Sequence, residues 1–174
     1  LLPIAGSVEE SRAQVRRLAA LAGHPERGEA LIARIDAALE RATPGAGKAV
    51  PTVVWQSGGI VPGEGALITD LLRRTGHTSF SAARGLGQAE ALPLERMLAD
   101  PPDLILSAGD AAGEEDRLLY HPALDHLSRT RRERLDPSLL WCGGPTIIRA
   151  AERLAQLRRS MEPQLAAVDA EPAR

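Results

Sequence analysis

The stretch Pro101-Pro102-Asp103-Leu104-Ile105-Leu106-Ser107-Ala108-Gly109 decides the fold class of this chain. Two prolines precede a short, almost continuously apolar run, and a glycine ends it. A run of this kind between turn residues is typical of a strand that is buried on both faces of a parallel sheet. The segment therefore predicts a central strand, and the rest of the chain must supply its neighbours and the helices that cover them.

Outward from this strand, β-rich runs alternate with amphipathic segments. Strands are predicted at residues 52–56, 77–80 and 139–142, in addition to the central one. Helices are predicted at residues 66–74, 93–99, about 122–130, and 145 to about 161. Right-handed crossovers turn such an alternation into a parallel sheet with helices on both faces. We therefore expect an α/β fold, a three-layer α-β-α lobe with a parallel sheet of about four strands.

The first forty residues are helical in pattern, without a strand of their own. Ser7 stands three residues before Glu10, the spacing of a capping box, and Gly23 supplies a left-handed stop to that helix. Pro25 suits the first turn of a second helix. Residues 43–49 read as a linker. We therefore expect the end of a preceding lobe and a long helical connector in residues 1–46, the α/β lobe in 47–162 and a flexible tail in 163–174.

Composition excludes several classes of protein. Hydrophobic residues make up 44% and charged residues 25%, and the formal net charge is -2, so no strong field draws the chain to nucleic acid or to an anionic membrane. Cys142 is the only cysteine, which excludes an internal disulfide and a Cys/His zinc set. The first residues do not have the pattern of a signal peptide.

Three glycine-bearing loops follow predicted strands and precede helices, at residues 57–65, 107–110 and 141–145. Ligands bind at the carboxyl ends of strands in open α/β sheets, where free backbone amides and helix N-termini point. Trp55 and Trp141 end two of the predicted strands and favour a flat ligand face there. Tight turns explain the glycines equally well, and a core position explains each tryptophan equally well.

Phosphate-binding motifs are incomplete in this sequence. Gly47-Lys48 is followed by Ala49, where a Walker motif needs Ser or Thr. The run at residues 85–90 begins like a dinucleotide fingerprint but lacks its third glycine, and no good strand precedes it. Neither stretch predicts nucleotide binding.

Catalytic and metal-binding arrangements are also weak. His121 and His126 are five residues apart, so a helix would not place both imidazoles on one face. Ser57 lacks the Gly-x-Ser-x-Gly elbow that would make it a nucleophile beside His77 and Asp70. We therefore expect a protein that is not an enzyme, with no catalytic residue, metal site or cofactor.

In the order of its segments, the chain resembles the family of periplasmic solute-binding proteins for ferric siderophores, cobalamin and haem. Members have two α/β lobes joined by one long rigid helix. The resemblance spans about residues 1–160. It is carried by the helical segments at 7–41, the strand, glycine-rich loop and "sl..ll...G" pattern at 55–76, the turn and "PDlIl" pattern at 92–106, His121-Pro122-Ala123-Leu124, and Trp141-Cys142-Gly143-Gly144-Pro145.

The resemblance implies binding without catalysis, with a metal chelate in a cleft between two lobes and docking of the loaded protein on the permease of an ABC importer. It implies a periplasmic location, and an amino-terminal lobe and export signal that are missing from this sequence. An isolated lobe would bind ligand weakly and would be prone to self-association. Glu95 matches the docking glutamate. The expected ligand-binding residues are Trp55, Gln56, Ser57, Gly58, Gly59, Gly87, Gln88, Ala89, Gly109, Trp141, Cys142 and Gly143.

Two other interpretations remain open at this point. A small flavodoxin-like or hydrolase-type α/β enzyme would use the same strand-end loops, and a stand-alone interaction domain would use them only as turns. The position of Glu95 distinguishes these interpretations, because an exposed Glu95 favours docking whereas a buried ion pair counts against it. Its purely structural role would be to interact favourably with the dipole of the helix that it begins. Trp55, Trp141 and Arg84 are compatible with several chelates, so the residues do not identify the ligand.

Overall fold

The computed structural model describes residues 3–109, 114–141 and 143–169. Asp110 and Cys142, which belong to two of the predicted ligand loops, lie outside the described residues. The strands are β1 (Val50–Gln56), β2 (Ile60–Val61), β3 (His77–Ser79), β4 (Glu90–Ala91), β5 (Leu104–Ala108) and β6 (Arg131–Arg134). The helices are α1 (Val8–Leu21), α2 (Pro25–Ala42), α3 (Leu67–Arg74), α4 (Leu94–Ala99) and α5 (Thr146–Asp169).

Four strands form one parallel sheet in the order β3-β1-β5-β6. The two inner strands pair from Thr52 opposite Leu104 to Gln56 opposite Ala108, with Val54 opposite Leu106. β2 and β4 make a separate antiparallel pair. The α/β fold with a parallel sheet of about four strands is confirmed.

Alternate residues of the inner strands enter two different cores. Val54 and Leu106 lie in a first core, shared with α2, α3 and α5. Val53 and Ile105 lie in a second core, shared with α4 and with the short 3-10 helices of residues 114–126. Because side chains alternate across a strand, this division shows that the sheet is covered on both faces, as the apolar run around Leu104 predicts.

The predicted last strand at residues 139–142 is wrong. Leu139 ends a short 3-10 helix (Pro137–Leu139) and is buried in the first core, and the fourth strand is β6. β6 is charged because it is an edge strand, where charges discourage pairing with another chain. Its Glu133 pairs with Arg131 at 2.7 Å and with Arg153 of α5 at 3.4 Å.

Two helix boundaries also differ from the prediction. The helix expected at residues 122–130 is a shorter 3-10 helix, Pro122–His126, because residues 127–130 form turns that lead into β6. The closing helix α5 continues past Pro163 to Asp169, within the segment that the sequence predicted to be a flexible tail. The other predicted helices and strands are present with small shifts of their ends.

Residues 8–42 form a hairpin of two helices, as the caps predict. Ser7 Oγ accepts from Glu10 N–H, and Gly23 has a φ of 76° between the helices. Gly28 allows the two helices to touch, because a Cβ there would lie 2.6 Å from the Cβ of Ala19. Ile35 of α2 lies in the first core, so the hairpin packs on the sheet. The role of residues 1–46 as an interlobe connector stays a prediction.

Two backbone contacts hold the start of α1 against the lobe. Val8 N–H donates to Asp70 Oδ2 at 3.0 Å, and Gly144 N–H donates to Ser11 Oγ at 2.7 Å. Asp70 also accepts from Arg74 Nε at 3.1 Å. The start of α1 therefore has a fixed position beside the loop that precedes α5. Among the described residues, no helix is long and apolar enough to cross a membrane.

His77 is a buried histidine in β3 that bridges β1 and α5. Its Nε2 lies 3.1 Å from the carbonyl oxygen of Leu154, which only accepts, so Nε2 carries the proton and Nδ1 accepts from Thr52 Oγ1 at 2.9 Å. Burial lowers the pKa of His77 to about 4 from its ordinary 6.5, and the nearby Arg158 guanidinium acts in the same direction. The folded protein therefore holds this imidazole neutral.

We expect acid to weaken folding through His77. Between pH 6.5 and 4 the unfolded chain takes up a proton on this side chain and the folded chain does not, so its contribution is full above pH 6.5 and is lost as pH falls toward 4. The loss amounts to about 3 kcal/mol. Urea unfolding at several pH values should show a shallower pH dependence in His77→Gln than in the wild type. Equal slopes would contradict the assignment.

Candidate ligand site

The sheet topology places a crevice at the carboxyl ends of β1 and β5. The chain leaves β1 toward β3 on one side, and it leaves β5 toward β6 on the other. Adjacent parallel strands whose connections diverge in this way form the switch point at which open α/β sheets bind ligands. The rim of this lobe therefore lies where the loops after β1 and β5 separate.

A cavity of about 460 Å³ opens on this rim beside the end of β1. Its volume is in the range of small-molecule sites. It brings together five residues that the sequence predicted as ligand contacts: Gln56, Gln88, Ala89, Trp141 and Gly143. The other lining residues are Pro3, Ile4, Ala5, Gln14, Pro62, Ala66, Leu67, Ile68 and Leu140.

Two loops are tied together to form one wall of the cavity. Gly63 N–H donates to the carbonyl of Gly87 at 2.8 Å, and Glu64 N–H donates to that of Leu86 at 2.9 Å. A side chain at Gly63 would collide with the Leu86 carbonyl, so this close approach requires glycine. Gln88 Nε2 donates to Gly65 O at 3.0 Å. The hydrogen bonds fix the backbone of both loops before any ligand arrives.

Trp141 is the most prominent side chain of the cavity. It is 78% exposed, although an indole this large is usually well buried. The loop that carries it is anchored by the bond from Gly144 N–H to Ser11. An anchored backbone under an exposed aromatic ring gives a flat apolar surface that a ligand can cover.

The described wall of the cavity combines apolar side chains with uncharged hydrogen-bonding groups. Three amide side chains, those of Gln14, Gln56 and Gln88, line it together with apolar groups. No acidic, basic or histidine side chain is among the lining residues that the structure describes. In the described ranges, no group of three or more His, Cys, Asp or Glu residues is placed to hold a metal ion. The described part of the wall is therefore suited to stacking and to amide hydrogen bonds.

Trp55 corrects one part of the sequence prediction. Its side chain is 0% exposed and packs in the second core, so it offers no face to a ligand. Side chains alternate between the two faces of the sheet along β1, so Trp55 points to the same face as Val53. Trp141 alone provides the predicted aromatic surface.

Five predicted glycine and serine contacts lie off the cavity lining. Gly59 is buried under Leu118, whose Cδ2 would lie 2.8 Å from an added Cβ, and it forms one 3-10 turn with Ser57 and Gly58. Gly109 is packed against the carboxylate of Asp116. Gly87 supports the wall through its carbonyl, which accepts from Gly63 N–H, and its own N–H donates to Glu90 Oε1 at 2.6 Å.

Arg84 is also directed elsewhere. Its guanidinium stacks on Phe80 at 3.3 Å from the ring centroid, and it forms an ion pair with Asp100. It is absent from the lining of the cavity. The residue therefore stabilises the turn after β3, where a cation on an aromatic face is favourable.

Sequence reasoning missed the contribution of the connector and of α3. Gln14 of α1 and Leu67 and Ile68 of α3 line the cavity, yet none of them follows a strand. Only the packing of α1 beside the loop before α5 brings Gln14 there. The strand-end rule finds loop residues, and no sequence pattern marks a helix that borders them.

The residues weighed as a possible catalytic set do not form an active-site arrangement. His77 is hydrogen-bonded to Thr52 and to the carbonyl of Leu154. Asp70 accepts hydrogen bonds from Val8 N–H and from Arg74. His121 caps a turn, with its Nδ1 accepting from Ala123 N–H at 3.2 Å. The described residues therefore contain none of the acid, base and nucleophile arrangements considered from the sequence.

Glu95 lies exposed in the first turn of α4 and makes no hydrogen bond or ion pair with the described residues. α4 runs from the carboxyl edge of the sheet back to the start of β5, so its first turn lies at the rim side of the lobe. An unpaired carboxylate in this position is free to accept from an arginine of another molecule.

Residues 4–134 match the family described as periplasmic binding protein. No curated protein sequence matches the chain. Among solved structures, the periplasmic haem-binding protein of Roseiflexus sp. RS-1 in apo form superposes with a TM-score of 0.70 at 22% identity, over 92% of this chain and 65% of that protein. An ABC transporter substrate-binding protein from Listeria monocytogenes superposes with a TM-score of 0.69 at 16% identity, over 87% of this chain and 64% of that protein.

A third similar structure is named for an ABC-type Fe3+-hydroxamate transport system from Saccharomonospora viridis. It has a TM-score of 0.70 and 16% identity, over 86% of this chain and 55% of that protein. At these identities the likeness shows the fold. The chain spans less than two thirds of the length of each of these three structures.

Proposed function

This chain belongs to the periplasmic binding protein family, and on that premise we propose that it is part of the substrate-binding component of an ABC importer for a metal chelate. The ligand would be a ferric siderophore, cobalamin or haem, bound at the rim cavity and delivered to a membrane permease. The protein would act in the periplasm. The observation that carries this proposal is the rim cavity itself, which joins two predicted loops around an exposed tryptophan.

A second lobe would complete the site. The cavity is open, and one wall desolvates only part of a ligand, whereas small-molecule sites cover most of it. Residues 3–5 line the cavity, and this chain covers only 65% of the similar haem-binding protein from Roseiflexus sp. RS-1. We propose that an amino-terminal lobe ahead of residue 1 closes over the ligand in the full-length protein.

The chemistry of the wall indicates how a chelate would be held. The iron of a ferric trihydroxamate siderophore is already saturated by its chelator and needs no ligand from the protein, which agrees with a described wall of amides and apolar groups. Trp141 would stack on a flat part of the ligand, and the amides of Gln56 and Gln88 would hydrogen-bond to its polar edge. The alternative that these loops form the active site of a small α/β enzyme is not favoured, because the described lining residues of the rim cavity include no titratable side chain.

Calorimetric titration of the full-length protein tests the proposal. A ferric trihydroxamate siderophore, haem and cyanocobalamin are added separately, with the metal-free siderophore as the control. We expect one of the three to bind at a single site with a Kd of about 1 μM or below. The absence of saturable heat with all three would overturn the proposed ligand class.

Glu95 should matter for delivery and not for capture. We expect Glu95→Ala to reduce chelate uptake by cells about tenfold or more, since a charge-assisted contact with a permease arginine is lost, with ligand affinity unchanged. Glu40→Ala is the matched control, because Glu40 is also exposed and without a side-chain partner among the described residues. Radiolabelled uptake and calorimetry separate the two effects. Equal uptake in both variants would exclude docking through Glu95.

A further inference from the structure

A second cavity, of about 260 Å³, lies at the opposite edge of the sheet. It is enclosed by the linker that leads from α2 into β1 and by the middle of α5. The two cavities adjoin opposite ends of β1, and a strand of seven residues spans about 20 Å. This amino-edge cavity is therefore separate from the rim cavity.

The buried residue of the amino-edge cavity is Arg158, which is 7% exposed. Its Nη2 donates to the carbonyl of Lys48 at 2.9 Å. Among the described residues its Nε and Nη1 are buried without a hydrogen-bond partner, and the carboxylate of Glu162 lies 4.0 Å from Nη1. A buried cation with unpaired N–H groups is costly, so the arrangement lacks an acceptor.

Two further guanidinium groups border the same space. Arg159 is exposed and forms no hydrogen bond or ion pair with the described residues, and Arg41 reaches Glu152 only at 3.5 Å. Glu162 is the one carboxylate among the lining residues that the structure describes. With Glu152 counted as the partner of Arg41, three guanidinium groups stand against two carboxylates, which leaves one positive charge in excess.

We propose that the amino-edge cavity binds a small oxyanion of the phosphate class. Guanidinium groups match the oxygens of a tetrahedral anion with paired N–H donors, and several of them suit a doubly charged anion better than a single carboxylate. The anion would enter beside Arg159 and would draw the side chain of Arg158 toward it. This inference concerns a different site from the proposed function and does not depend on it.

Calorimetric titration with inorganic phosphate, at neutral pH and low ionic strength, tests the inference on the 174-residue chain. We expect one saturable site in the wild type. Arg159→Gln should weaken it about tenfold or more, because one charge-assisted contact is lost. Arg17→Gln removes the same charge from an exposed, unpaired arginine of α1 and should leave affinity unchanged.

The variant Glu162→Gln distinguishes anion binding in the cavity from a purely structural role of its arginines. If the cavity holds an anion, removal of the competing carboxylate should tighten phosphate binding. If Glu162 instead closes onto Arg158, the same variant should lower the free energy of unfolding and phosphate should give no saturable heat, which would overturn the proposal. Equal weakening by Arg159→Gln and Arg17→Gln would also overturn it, since it would show attraction by net charge alone.

Discussion

Replacement of Trp55 with alanine should lower the free energy of unfolding by about 3–5 kcal/mol. The indole is 0% exposed and lies in the second core beside Val53 and Met97. Its loss removes buried apolar surface and leaves a void that the close-packed neighbours fill only in part. Urea-induced unfolding, followed by far-UV circular dichroism, measures the change.

Trp141 provides the matched control for this prediction, because both positions lose the same indole. Trp141 is 78% exposed, so Trp141→Ala should change the free energy of unfolding by less than about 0.5 kcal/mol. If the two variants were destabilised equally, or if Trp55→Ala were as stable as the wild type, the assignment of Trp55 to the core would be wrong.

The second large effect concerns ligand affinity. We expect Trp141→Ala in the full-length protein to weaken chelate binding by about 2 kcal/mol, or roughly 30-fold, because an exposed aromatic surface in a cavity is a typical hot spot of binding. Calorimetry with the chelate that binds the wild type gives the ratio of dissociation constants. Trp141→Phe should retain most of the affinity, since a smaller aromatic face remains.

Leu21→Ala is the control for non-specific effects on an apolar surface. Leu21 is 77% exposed but lies at the end of α1 and does not line the rim cavity. Its replacement should leave chelate affinity unchanged. Equal affinities of the wild type and Trp141→Ala would remove Trp141 from the site and with it the main support for the proposed wall.

The layer architecture could be predicted because burial on both faces has a sequence pattern. The apolar run around Ile105 and the glycine after it predict an inner strand, and the caps at Ser7 and Gly23 predict the first helix. These features depend on residues close together in the chain. Local physics therefore specified the inner sheet and the helical hairpin.

The edge of the sheet could not be predicted in the same way. The apolar stretch at residues 139–142 has the composition of a strand, yet Leu139 is buried in a 3-10 helix. The charged β6 has the composition of a solvated loop. An edge strand gains stability from pairing with its neighbour and from ion pairs with α5, and neither contribution is visible in a single segment.

The candidate site was predictable to the extent that it follows the strand-end rule. Gln56 ends β1, Gln88 and Trp141 lie on connections between elements, and all three line one cavity. Gln14 could not be found, because it reaches the cavity only through the packing of α1 on the lobe. Trp55 was ambiguous, because the face to which a strand residue points depends on register with its neighbours.

The most direct test of the account is whether a chelate contacts Trp141. Full-length protein labelled with ¹⁵N is titrated with a diamagnetic chelate, such as a gallium(III) hydroxamate or cyanocobalamin, and the indole N–H signals are assigned with the Trp55 and Trp141 variants. The account predicts a saturable shift of the Trp141 signal and little change in the Trp55 signal. Saturable binding that leaves the Trp141 signal in place would contradict it.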